Sequence, residues 1–243
     1  MENKILYKAD TRGYANHGWL KSHHTFSFAN YRNNDRIHFG VLRVLNDDNV
    51  AAGMGFGTHP HDNMEIISIP LSGSLEHKDS MGNGTIIRQG EIQAMSAGTG
   101  VQHSEFNPSE TEESKFLQIW LFPNKLNVKP RYDQIQINKD DRRNKWDQIL
   151  SPNPEDKGVW INQNAWFHMA DLDTGKELTY DLKDKSNGIF LFVLEGQITI
   201  DDITLDKRDA IGFWNQPNFT VHAHENSHIL VMEVPMELPE YLQ

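Results

Sequence analysis

The chain contains no cysteine. Disulfides and thiolate metal sites are therefore excluded, and any metal must be held by His, Asp, Glu or backbone oxygen. The absence also fits a reducing compartment. Long apolar runs are missing as well: no stretch approaches the roughly 18 to 20 apolar residues of a membrane helix. MENKILYKADTRGYANHG has no apolar block after its charges, so it does not read as a signal peptide. Basic residues are the minority, 23 against 34 acidic, for a net charge of −11. That balance argues against nonspecific binding to nucleic acid or an anionic membrane. A cytoplasmic protein is the expectation. Helical periodicity is scarce too, and its best example, DDRRNKWDQIL at 140–150, is short.

What is present is a series of strand-length runs rich in β-branched and aromatic residues, at 66–71, 116–122, 188–194 and 229–234. Gly, Asn, Asp and Pro separate them. Such spacing suggests an all-β sandwich or barrel. At 124–155 charge rises, Pro appears and apolar periodicity lapses, which reads as a connection between two β units. The units are alike. IISIPLSGSLEHKDSMGN and IFLFVLEGQITIDDITL each carry an apolar strand, a Gly turn and an alternating strand. GEIQAMSAGTGVQH and DAIGFWNQPNFTVHAH follow them in turn. The pattern predicts a duplicated barrel, although most β hairpins share this grammar.

Twelve histidines stand in the sequence, and two clusters carry the chemistry. In GMGFGTHPHDNME, His59 and His61 lie at i and i+2, on one face of a strand, with Glu65 on the same face if the strand is regular. Pro60 places the segment at a strand start or edge. In GTGVQHSE, His103 and Glu105 repeat the spacing. Two strands with two ligands each can converge on one ion. A lone H-x-H is more often a pair of surface histidines; the repeat, with glycines before both, favours ligands. The set His59, His61, His103 and Glu105 suits one divalent transition metal: Fe(II), Mn, Co, Ni, Cu or Zn. It leaves two open positions on an octahedral ion. Glu65 reads as a partner orienting a ligand His, with a ligand or a solvent-facing role as alternatives.

Four segments, HGWLKSHHTFSFANY, GFGTHPHDNMEI, LEHKDSMGN and MSAGTGVQHSE, resemble the pirin family of the cupin superfamily. The similarity is strongest over residues 5–135. It is closest to bacterial pirin-like proteins described as quercetin 2,3-dioxygenases. The resemblance implies a bicupin, with a metal-binding N-terminal cupin domain at 1–135 and a C-terminal cupin domain without metal at 136–243. It implies His59, His61, His103 and Glu105 as ligands and iron as the usual metal. Many relatives carry Arg-Gly-Phe or Lys-Asp after H-P-H where this chain has Asp62-Asn63-Met64, a change of charge beside the metal that bears on substrate preference.

In the second unit, Tyr180-Asp181-Leu182 falls about where a first ligand pair would lie. His222 and His224 therefore read as structural or exposed. His23 and His24 read as turn or capping residues, with a place near the metal as the alternative. His77 either lines the pocket or meets a backbone carbonyl. His17, His38, His168 and His228 read as structural. The resemblance implies an oxidoreductase that opens a flavonol ring with O₂, with Glu105 as the proton acceptor. The alternatives are a regulatory, redox-sensing pirin acting through a protein partner and a metal-dependent isomerase or lyase. Met54, Phe56, Met64, Ile66 and Met95 favour an aromatic substrate or serve as barrel core. An enclosed pocket would favour catalysis, an exposed apolar patch a partner, and a pocket lined by Arg and Lys the isomerase.

Overall fold

Along Val101–Phe106 the side chains alternate strictly: Val101, His103 and Glu105 are buried while Gln102 and Phe106 are exposed. This is the two-residue period of a strand with one face on the core. The same physics organises the rest of the computed structural model, which describes residues 3–243. Strands dominate it. The helical expectation at 140–150 gives way to one turn, Lys139–Arg142, capped by the Asn138 side chain, and then to the strand Asp147–Ser151. Ile149 and Leu150 are buried there, so sheet packing overrides the weak helical pattern. Strand Arg131–Gln136 likewise lies inside the segment read as a connection.

Residues 13–137, 159–163 and 239–243 form one compact unit, and 3–12, 138–158 and 164–238 form another. The division at 137/138 lies close to the change in composition. Strand Lys4–Tyr7, counted with the first unit in the sequence, pairs with Ala210–Trp214.

In the first unit the larger sheet runs Arg131–Gln136, Glu91–Ser96, Glu65–Ser72, Ser114–Leu121, Leu42–Val50, Leu20–His24 and Gly13–Asn16. The smaller runs Gly55–His61, Val101–Phe106, Ser74–Asp79 and Gly84–Arg88. Leu75 and Ile87 of the small sheet pack with Leu20, Val50 and Phe116 of the large one. Each such side chain, fully buried, contributes roughly 1.5 to 3 kcal/mol.

The second unit repeats the central strands of this topology. Its larger sheet contains Ala210–Trp214, Asn187–Glu195, Ser227–Pro235 and Trp166–Leu172 in that order, and its smaller sheet Glu177–Asp181, Asn218–Ala223, Ile198–Ile200 and Ile203–Leu205. The internal repeat read from the sequence is thus a repeat of eight strands in the same order. The all-β, two-unit architecture is the one expected from the sequence, but each unit is a sandwich of two separate sheets and not the closed barrel expected. Alternation along a strand specifies which face is buried and leaves closure open. No helix among the described residues is long and apolar enough to cross a membrane.

Candidate metal centre

His59 and His61 lie on Gly55–His61, and His103 on the neighbouring strand Val101–Phe106, directly opposite His59. The ring centroids are 4.4 Å apart for His59 and His103, 4.8 Å for His59 and His61, and 4.9 Å for His61 and His103. One nitrogen from each lies within 4.8 Å of the others. The register shifts between His103 and Glu105, where Glu105 faces Phe56. The extra residue falls in the Gly57–Thr58 stretch, a bulge of the kind that re-aims side chains beside sites. His59 Nδ1 donates to the Gly57 carbonyl at 2.8 Å, leaving Nε2 with the lone pair.

Gly55 is required by a close approach. A Cβ there would collide with the backbone of Glu105 and Phe106. Gly55→Ala is therefore expected to push the two histidine-bearing strands apart. It should cost about 1 to 3 kcal/mol, as overpacking does, and weaken metal binding about 10-fold, as displacement of a ligand's support does. Urea unfolding and metal titration measure both effects.

His103 is buried, and neither ring nitrogen has a hydrogen-bond partner. Leaving a buried polar atom unpartnered costs roughly 1 to 3 kcal/mol, and an ion bound to one nitrogen removes that cost. Burial, reinforced by His59 and His61, pushes the His103 pKa down to about 2. Burial, reinforced by His59, pushes His61 down to about 4. Both rings are therefore neutral at physiological pH, the form that ligates a cation. The donor set and its unpartnered nitrogens fit a divalent metal.

Glu105 is buried. Its Oε1 accepts from the Ser68 hydroxyl at 3.1 Å and its Oε2 from Gln118 Nε2 at 2.9 Å. Burial raises its pKa, opposed by the nearby His77 and these two donors. Its carboxylate groups with His103 and His77 within 4.8 Å, so the two donor sets overlap at His103. His77 is fully buried. Nε2 lies 2.9 Å from Asp79 Oδ2 and so carries the proton, while Nδ1 has no partner. The sequence offered a pocket wall or a backbone carbonyl for His77; the structure shows a carboxylate partner and a place behind His103.

Glu65 does not share a face with His59 and His61. The chain turns at Asn63, whose φ is 44°, and Glu65 opens the next strand, in the other sheet. It is 1% exposed and accepts from Ser96 Oγ at 2.7 Å and Asn162 Nδ2 at 3.2 Å, with no histidine among its hydrogen-bond partners. Burial pushes its pKa up to about 7. A raised carboxylate favours folding below its unfolded value and loses that contribution as pH rises through the folded value. Stability attributable to Glu65 should therefore fall between about pH 4.5 and 7, by roughly 3 kcal/mol. Glu65→Gln is expected to flatten this part of the pH profile, measured by denaturant midpoints at pH 5 and 8.

A cavity of about 700 Å³ opens on the histidine cluster. Trp19, Phe28, Tyr31, Phe56 and Trp120 supply aromatic walls, and none of its lining residues is Arg or Lys. Its size is that of pockets that enclose small organic ligands. Of the apolar residues read between the motifs, Phe56 and Ile66 line it, Met95 is core, and Met54 is 41% exposed. His24 lies on strand Leu20–His24 and lines the cavity rather than capping a turn, and His17 lines it as well. His23 packs on Tyr14 at 4.8 Å. His38 Nδ1 donates to the Gly40 carbonyl.

A model of the family described as Pirin matches residues 7–121, and one described as quercetinase C-terminal cupin domain matches 148–234. The chain is 40% identical to a quercetin 2,3-dioxygenase of Escherichia coli K12 over 230 residues, covering 95% of this chain and 98% of that protein. The chain belongs to the pirin family. A pirin-like protein of Caulobacter vibrioides is 35% identical over 92% of this chain and 96% of its own. A crystal structure of a bacterial pirin from Escherichia coli in complex with nickel(II) superimposes with a TM-score of 0.90 at 38% identity, covering 96% of this chain and 99% of that one.

Strand register shows how the two cupin units of this pirin differ. His103 pairs with His59 and Asp79, and Glu105 with His77. At the equivalent places Val221 pairs with Leu178 and Ile200, and Ala223 with Ile198. Thus Leu178, Tyr180, Ile198, Val221 and Ala223 stand where His59, His61, His77, His103 and Glu105 stand in the first unit. All five belong to, or pack against, an apolar cluster. His222 alternates with buried Val221 and Ala223 and so faces outward, and His224 is exposed against Thr199. His168 meets the Tyr180 hydroxyl, and His228 lies 3.6 Å from Asp171.

Apart from His24, for which a place near the metal was the alternative, the sequence reading missed the floor of the site. His24, Asn46, Gln118, Ser68 and Gln93 follow one another across five adjacent strands. All five are buried. For Ser68 and Gln118 the available signal was a single polar residue inside an otherwise apolar run, IISIPL and FLQIWLF, whereas His24 and Asn46 stand in polar stretches that give no such signal.

Proposed function

We propose that this pirin is a metal-dependent dioxygenase that opens the ring of a flavonol or a similar enol-bearing aromatic with O₂. The observation that carries the reading is the three-histidine cluster opening into an aromatic-walled cavity. His59, His61 and His103 would hold the ion, with Glu105 as the fourth ligand. Fe(II) is the metal we assign, and Mn, Co, Ni, Cu and Zn suit the same donors. A bound divalent ion supplies Lewis acidity, which lowers the pKa of a substrate hydroxyl, and open positions for small ligands. Glu105 takes the hydroxyl proton. Burial raises its pKa, which makes its carboxylate the stronger base that role needs. Ser68 and Gln118 hold the carboxylate in place before the transfer. The aromatic side chains keep a flat substrate oriented and exclude water.

We assign the metal to the 1–135 domain and none to 136–243, a division supported by the lack of any His, Asp or Glu at the five equivalent positions. The absence of Arg and Lys from the described lining speaks against a polar anionic substrate and the isomerase reading. The aromatic-walled cavity over the histidine cluster favours catalysis over a purely regulatory role through a protein partner.

O₂ uptake with quercetin tests the proposal, with each divalent ion supplied in turn. Uptake is expected with wild type and at least one ion, and to fall about 10²-fold or more in Glu105→Gln, the range of a lost general base. Stoichiometric metal with no uptake under any ion would overturn the dioxygenase reading.

A further inference from the structure

The cavity has a second polar region that the proposed reaction does not use. It lies on the larger sheet, where Ser22 pairs with Asp48 and His24 with Asn46 across neighbouring strands. All four side chains are buried and line the cavity. Inward positions of a sandwich strand are ordinarily apolar, and buried polar groups are ordinarily satisfied. Here they are satisfied only in part.

His24 Nδ1 lies 2.9 Å from Asn46 Oδ1 and 3.3 Å from Ser22 Oγ. The amide oxygen only accepts, so Nδ1 carries the proton and Nε2 the lone pair. Burial lowers the His24 pKa, so the ring is neutral and keeps that lone pair. Phe28 and Tyr31 flank the ring at 5.4 and 6.3 Å between centroids. Asp48 is 4% exposed, and its Oδ1 has no hydrogen-bond partner. The region therefore presents two acceptor atoms between aromatic faces: the imidazole lone pair of His24 and Oδ1 of Asp48, whose pKa burial pushes up to about 7.

We propose that His24 and Asp48 form a second subsite of the cavity, which accepts hydrogen bonds from phenolic hydroxyls on a ring of the substrate away from the metal. The subsite rests on the aromatic-substrate reading above and specifies it further: the preferred ligand is polyhydroxylated. A ligand without those hydroxyls covers both acceptors without partnering them. That mismatch is what allows a polar pocket to reject the analogue lacking a group.

Anaerobic titration of the metal-loaded protein separates this from turnover. The probes are quercetin and 3-hydroxyflavone, which keeps the chelating hydroxyl and ketone and lacks every other hydroxyl. Wild type is expected to prefer quercetin by about 10-fold or more. In His24→Phe and in Asp48→Leu the ratio of the two affinities should fall to about threefold or less, with metal content equal to wild type. If Asp48→Leu does not fold, His24→Phe alone decides. An unchanged ratio in His24→Phe overturns the subsite. A preference that is lost in the variants, without O₂ uptake in wild type, supports the subsite and sinks the dioxygenase reading. Binding of neither flavonol to wild type overturns both.

Discussion

His103→Ala is expected to remove the metal altogether, with affinity reduced by about 10³-fold or more. Partners that merely orient a ligand are worth roughly 10 to 100-fold, and His103 does more than orient. It is shared by both donor sets, it is buried, and its nitrogens have no other partner. Loss of metal should also lower the melting temperature in excess metal, because an ion that binds only the folded state stabilises it by mass action. Competitive titration with a coloured chelator measures the affinity. A variant that retains metal within about 10-fold of wild type would show that the ion sits elsewhere.

The second large effect lies in the other cupin unit. Val221→His places an imidazole at the position equivalent to His103. Its surroundings are Leu178, Ile200 and the apolar cluster around them. The new ring would be larger than the valine, which is fully buried, and would find no hydrogen-bond partner among these neighbours. Overpacking and an unpartnered polar group each cost about 1 to 3 kcal/mol. The variant should therefore lose roughly 3 kcal/mol or more in urea unfolding and bind no second ion. A stable variant with an additional equivalent of metal would refute the strand-by-strand equivalence of the two units.

Much of this site was legible in the sequence because strand geometry is periodic. His59 and His61, like His103 and Glu105, share a face by their i, i+2 spacing, and the glycines before each pair marked the approaches. The repeat was legible for the same reason, since two runs of like alternation build two like sandwiches. Periodicity fails where the chain leaves the strand. Asn63 turns the backbone, so extrapolating the face of His61 to Glu65 put that carboxylate on the wrong sheet. His24, Asn46, Asp48 and Gln118 come together only through cross-strand register, which no local pattern encodes. The strand at Asp147–Ser151 lay hidden behind a charged, weakly helical stretch, because its burial depends on partners distant in sequence.

Metal content by mass spectrometry, on protein purified without affinity tags or chelators, tests the central claim most directly. Wild type should carry close to one divalent transition metal per chain, and His59→Ala and Glu105→Ala should each carry far less. Equal, trace metal in all three proteins would contradict a metal centre built from His59, His61, His103 and Glu105.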